Sequence, residues 1–187
     1  MGAIDLTMPP KVAKQVAEFN QEAYKPPNYV KLLNTCCGIP NLSWADKLAY
    51  LAYKLHDPAA LELVPVTHSF RGEWYVRTMK IPKEYLFIGR IHILGHKIKL
   101  LSGKAILIEE YGKEIREAPD EMTSVPGYQT VAYTLTDVVA ETIHPNPLKL
   151  HSQRQTDLLE SYIFEPVDLV LQRGKEISEL LLLENTQ

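Results

Sequence analysis

Three histidines stand out for the chemistry they can do: His92, His96 and His144, all between Ile81 and Pro145. Neutral imidazoles bind first-row divalent metals and leave positions open for water or substrate. Around them lie side chains able to bind anions or move protons. Arg77 and Arg90 can neutralise an anionic group, Tyr75 and Gln129 can stack on or hydrogen-bond a ligand, and Tyr133 and Glu109 can transfer protons. The set predicts a polar, metal-binding barrel mouth. The alternative is that the histidines only hydrogen-bond within a polar interior.

The elements that must position these residues are short strands. From Leu61 the apolar period changes from helical to strand-like, and Ile81–Pro145 reads as strands separated by turn signals. A strand over Trp74–Met79 puts Tyr75, Arg77 and Met79 on one face. Facing inward, Arg77 needs a partner or an anionic ligand, and facing outward it is solvated. A strand from Glu84 to Leu94 puts Arg90 and His92 on one face. A tight turn at Ser102-Gly103-Lys104 pairs Leu100 with Leu107, Ile98 with Glu109 and His96 with Tyr111, which brings Glu109 to the His96 face. A further turn is expected at Gly112-Lys113. A hairpin about Thr136-Asp137 pairs Tyr133 with Ala140 and Gln129 with His144; slippage by one residue would turn them all outward.

Helices flank this region. Met8–Ala23 has helical spacing after Pro9 and Pro10, Ser43 caps Trp44–Leu55, Thr156 caps the segment that follows it, and Pro166 starts a long leucine-rich helix. Leu48, Leu51, Ala52 and Leu55 share one helical face. Leu180 and Leu181 belong to an apolar surface that the barrel, the N-terminal helices or another subunit would cover, so a homo-oligomer is expected. The expected domains are an N-terminal helical extension (1–63), a β-barrel (64–147) and a C-terminal helical extension (148–187). His56 falls at a helix end, where a cation suits the dipole. His68 is a weaker site candidate, and His151 lies in a polar linker.

The segment from His68 to Pro145 resembles the cupin superfamily, a double-sheet jelly roll. GRIHILGHKIKLLSG (Gly89–Gly103) resembles its first motif and VPGYQTVAYTL (Val125–Leu135) its second. The pattern His68, Phe70, Gly72, Tyr75, Arg77, Pro82, His92, His96, Gly103, Ala118-Pro119, Ser124, Pro126-Gly127, Tyr133 and His144 is similar to small cupin-like proteins of bacteriophages. The general motif takes two histidines and a glutamate from the first motif and a third histidine from the second. Here Arg90 occupies the first histidine position, His92 the second, His96 that of the glutamate and Thr130 that of the last histidine. His144, on the following strand, restores a third ligand. The resemblance implies a mainly β fold with flanking helices, and a divalent metal held by His92, His96 and His144.

Composition limits the remaining choices. With 45% hydrophobic and 23% charged residues, the 187-residue chain is globular. A formal charge of -3 provides no basic excess for nucleic acid or an anionic membrane. Cys36 and Cys37 are adjacent, ill placed for a mutual disulfide, and no apolar run is long enough to span a bilayer. The chain reads as a reduced, cytoplasmic protein, in the host cytoplasm if phage-encoded. No phosphate loop, nucleophile elbow or Cys-x-x-Cys is present. Three functions compete: a metal-dependent enzyme on a sugar, nucleotide or organic acid; a binder that sequesters a nucleotide-like signal without turnover; and an assembly protein.

Overall fold

The computed structural model describes residues 38–39, 41–56 and 64–184. The expected helix over Met8–Ala23 and the two cysteines lie outside the described residues. The chain divides into two compact units, Glu62–Glu165 and a helical unit drawn from the segments on either side.

In the helical unit, α1 (Trp44–Leu55) starts where expected, because the Ser43 hydroxyl accepts from the Asp46 amide at 3.2 Å. Hydrogen bonding from Ser43, then the Arg173 ion pair, holds the Asp46 carboxyl below its ordinary range against the effect of burial. Leu48, Ala49 and Leu51 are buried, while Ala52 and Leu55 are only half-buried. Far along the chain, Val167–Glu184 forms the long helix expected after Pro166. It meets α1 at Gly174, where a Cβ would lie 2.2 Å from the Ala49 carbonyl oxygen. Leu180 and Leu182 on this helix are exposed.

The other unit is built of nine strands: β1 (Val66–Arg71), β2 (Trp74–Ile81), β3 (Leu86–Ile88), β4 (Lys97–Ser102), β5 (Lys104–Glu109), β6 (Gly112–Glu117), β7 (Asp120–Thr123), β8 (Val131–Thr134) and β9 (Val138–Pro145). They make two antiparallel sheets, ordered β1-β2-β9-β4-β7 and β3-β8-β5-β6. From β2 onward nearly every step along the chain crosses from one sheet to the other, which is the winding of a jelly roll. A short helix α2 (Thr156–Ile163) follows the last strand, and the long Val167–Glu184 helix is α3. The barrel core gathers Val64, Met79, Ile81, Ala105, Val138 and Ala140, and a second cluster joins Tyr75 to Leu159, Ile163 and Phe164 at the α2 end.

This winding overturns two expected hairpins. β4 and β5 lie in different sheets, so Leu100 pairs with Ala140 and Asp120 instead of Leu107, and Ile98 pairs with Thr142 and Met122 instead of Glu109. The cause is at Gly103. Its φ of +91° turns the chain through a corner where a Cβ would lie 2.2 Å from the Asp137 carbonyl, and the Lys104 amide donates to Thr136 Oγ1 at 2.9 Å. The Thr136-Asp137 segment is the other half of the same corner. β8 and β9 therefore part, with Tyr133 beside Leu86 and Ile106, and Ala140 beside Met79 and Leu100.

Three smaller expectations also shift. The Glu84–Leu94 strand shrinks to Leu86–Ile88, with Glu84 itself at φ 60°. The β5–β6 hairpin closes over Glu110-Tyr111, ahead of Gly112-Lys113, since Glu109 pairs with Gly112. Ser152, not Thr156, supplies the cap, at a short 3-10 turn (Gln153–Gln155) that leads into α2.

Candidate metal centre

Each histidine is delivered by a different constraint. His144 sits near the end of β9 opposite Tyr75. Lys97 pairs with Ile143 at the start of β4, which sets His96, one residue earlier, next in line with His144. His92 lies outside any regular strand. Its amide donates to the Tyr128 carbonyl at 3.0 Å, its carbonyl accepts from the Gly127 amide at 2.7 Å, and it bridges to Phe164. Phe164 is held there because the chain leaving α2 runs antiparallel to Ile91–Ile93, with Ile93 N donating to Ile163 O at 2.7 Å and Glu165 N to Ile91 O at 3.0 Å.

The three rings meet inside the barrel, each offering a nitrogen within 4.8 Å of the others. They are 3%, 3% and 0% exposed for His92, His96 and His144. The imidazoles lie nearly parallel, with His92 and His96 stacked at 3.6 Å. Buried side-chain nitrogens ordinarily find hydrogen-bond partners. Here His92 Nδ1, His96 Nε2 and both nitrogens of His144 have none. Orphaned neutral nitrogens gathered in one place fit a divalent cation.

Electrostatics keep these donors unprotonated. Burial above all, then the neighbouring imidazoles and Arg77 and Arg90, push His92 down to about 2. Burial likewise brings His144 to about 3 and, against a hydrogen bond to the Leu94 backbone carbonyl, His96 to about 4. Ser124 orients His96. Its Oγ donates to the His96 carbonyl at 3.2 Å and accepts from Nδ1–H at 2.5 Å, which leaves the Nε2 lone pair free for a ligand bond.

Beside the histidines lies an anion-holding network. Arg77, opposite Thr142 on β9, points inward, so the inward alternative holds. Arg90 Nη1 donates to Glu160 Oε2 at 2.9 Å, and Tyr75 donates its hydroxyl proton to Glu160 Oε1 at 2.8 Å. With its proton committed, the Tyr75 oxygen accepts from His68 Nδ1–H at 2.6 Å. Burial, followed by the Glu160 charge, raises Tyr75 well above the phenol range. Arg77 Nε is 3.0 Å from Glu160 Oε1 but its N–H does not point at that oxygen, so the contact is ionic without a hydrogen bond. Both guanidinium groups lie over the Phe164 ring, at 4.7 Å for Arg77 and 4.2 Å for Arg90. Burial lowers Arg90 below the usual guanidinium range, Glu160 opposes that and Arg77 adds to it.

The structure thus joins His92, His96, His144, Tyr75, Arg77 and Arg90 in one neighbourhood. Gln129 is close to Arg90, donating to the Gly89 carbonyl at 2.9 Å, but does not pair with His144. Tyr133 is on the opposite face of β8 from the cavity-lining Thr130, Ala132 and Thr134. Glu109 is exposed at the end of β5, and the pairing that would have brought it to His96 is not formed. Glu160 and Phe164 were missed. Glu160 lies on α2 and Phe164 is the extended residue just past its end, and nothing local says which surface either one meets. His56 ends α1, and His151 is exposed with an edge-on contact to Phe70.

No protein-family model and no curated protein matches the chain. Among solved structures it is similar to a cupin-2 domain protein of Shewanella frigidimarina (8% identity, 43% of this chain and 79% of that one, TM-score 0.38). It is also similar to an RmlC-like cupin of Methanocaldococcus jannaschii with a double-stranded β-helix fold (8%, 46% and 84%, TM-score 0.38). A third is the acetylacetone dioxygenase of Acinetobacter johnsonii (15%, 44% and 58%, TM-score 0.35), a little over half of whose length is spanned. The winding of the strands between the chain's two sheets, read from its own hydrogen-bond ladders, is that of a double-sheet jelly roll.

Proposed function

We propose that the barrel is a cupin-like centre that holds one divalent cation on His92, His96 and His144 and acts on a small anionic molecule beside it. The observation that carries this reading is the set of buried imidazole nitrogens without partners, gathered within 4.8 Å. A cation bound there would supply Lewis acidity toward a substrate oxygen. The chain's own residues do the rest. Ser124 fixes the His96 ring, Arg77 and Arg90 provide positive charge next to it, and Phe164 shields His92 and His144 from water, at ring separations of 4.8 and 5.4 Å. Tyr75 is committed to Glu160 as a donor, which suits it to holding the network in place more than to exchanging protons.

Binding without turnover is the second reading. It is favoured by the depth of the triad, since Phe164 and α2 cover it on the side of the arginines.

Elemental mass spectrometry of tag-free protein tests the metal reading. Wild type is expected to hold close to one equivalent of a first-row metal after purification without chelators or reloading. His92→Ala and His144→Ala, checked for folding by circular dichroism, are expected to hold little. Wild type that stays metal-free after reloading would remove the site.

A further inference from the structure

The same barrel contains a partly open cavity of ≈100 Å³ whose lining is chemically divided. One end carries Arg77, Arg90, His92 and Thr142, the ion-paired Arg116 and Asp120 also line the cavity, and the rest of the walls are mostly apolar, among them Met79, Ile81, Phe87, Leu100 and Val138. Its size is about two-thirds that of the engineered apolar cavity that holds benzene. Its interior has room for a short hydrocarbon group but not for the whole of a nucleotide or a hexose.

The charges at this end do not balance. Arg77 and Arg90 share one carboxylate, Glu160, among the described residues. The third arginine of the lining, Arg116, contrasts with them, since it alone engages both Glu114 and Asp120. A buried cation without full compensation is costly, so the Arg77–Arg90 end has capacity for another anion. Its donors are also unspent. Arg77 Nε, Arg90 Nε and the Thr142 hydroxyl, opposite Arg77 in the β2–β9 ladder, are buried with no hydrogen-bond partner.

From this we infer that the cavity takes a short-chain carboxylate, its head bound by Arg77, Arg90 and Thr142 beside His92 and its hydrocarbon tail lying along the apolar walls. A carboxylate accepts several charge-assisted hydrogen bonds at once, which suits the Arg90 Nε and Thr142 donors together with Arg77 Nε, whose contact with Glu160 is ionic without a hydrogen bond. Glu160 is then a positioning residue that holds the two guanidinium groups, with Phe164, in the orientation the ligand meets. The inference deepens the proposed function, because it names the class of molecule that shares the barrel with the metal, but its binding group belongs to the arginines and can be tested without the cation.

Calorimetric titration of acetate, butyrate, 1-butanol and adenosine monophosphate tests it, on metal-free protein and on protein reloaded with zinc, with zinc content measured in parallel. Butyrate is expected to bind more tightly than acetate and at least about tenfold more tightly than 1-butanol. Arg90→Gln should weaken butyrate about tenfold. Thr142→Val, which keeps shape and removes a partnerless hydroxyl, should weaken it severalfold without loss of stability. Ala132→Leu narrows the cavity and should abolish the advantage of butyrate over acetate. Equal binding of butyrate and 1-butanol, no butyrate binding in either form, or a butyrate affinity unchanged in Thr142→Val and Arg90→Gln would overturn the inference. Preferred binding of adenosine monophosphate would do the same. Zinc that loads while butyrate fails removes this inference alone; butyrate that binds to protein unable to hold zinc removes the metal reading and leaves this one standing.

Discussion

Acidification should unfold the metal-free barrel through its three buried histidines, by an amount the structure allows to be worked out. In the folded state His92, His96 and His144 titrate near 2, 4 and 3, against an ordinary value of 6.5 in the unfolded chain. Because the folded values are depressed, the unfolded state binds more protons anywhere between about pH 4 and 6.5. The stabilisation is therefore fully present well above pH 6.5 and is lost as pH falls, down to about pH 4 for His96, about 3 for His144 and about 2 for His92, the values at which each accepts a proton in the folded protein. At about pH 5.5, one unit below the unfolded value, each histidine favours unfolding by RT ln(1 + 10), about 1.4 kcal/mol, or about 4 kcal/mol for the three. That is a large part of the 5–15 kcal/mol that holds roughly an average domain together. Urea unfolding in the presence of chelator at about pH 8 and 5.5 reads the loss, and His144→Gln isolates the cause. The variant should lose about 1.4 kcal/mol less than wild type across this interval, whatever its stability at pH 8, because other titrating groups cancel in the difference. Parallel pH profiles for the two proteins would refute the assignment of His144 as a buried neutral imidazole.

Two further outcomes follow from particular contacts. Ser124→Ala removes the hydroxyl that orients His96, so competition with a chromogenic chelator should show metal affinity reduced by about tenfold or more with the fold retained; an unchanged affinity would show that the ring is held by packing alone. Gly103→Ala should cost about 2 kcal/mol or more in urea unfolding, because its φ of +91° is compounded by a Cβ 2.2 Å from the Asp137 carbonyl, whereas Gly72→Ala, at φ +64° with open space around it, should cost about 1 kcal/mol. Equal costs would show that the corner relaxes.

What was legible in the chain alone was whatever local pattern dictates. Ser43 caps α1 because a side-chain oxygen three residues ahead of an amide needs no distant partner. Alternation put Tyr75, Arg77 and Met79 on one face of β2, and the turn residues marked where strands stop. The three histidines and two arginines were identifiable by type. Pairing was a different matter. A glycine at positive φ serves a hairpin and a corner between sheets equally well, and at Gly103 only the packing of Asp137 against it selects the corner. That choice separated β4 from β5 and β8 from β9, set Tyr133 on the face away from the cavity and left Glu109 at the surface. Glu160 and Phe164 lie far along the chain from Arg77 and Arg90. Their place at the arginines is set by the backbone pairing of Ile93 and Ile163, a long-range contact to which no local spacing points. Residue type determined which chemistry was available to this protein; tertiary structure decided which of those residues stand together, because strand partners and helix docking depend on buried surface contributed by the whole fold.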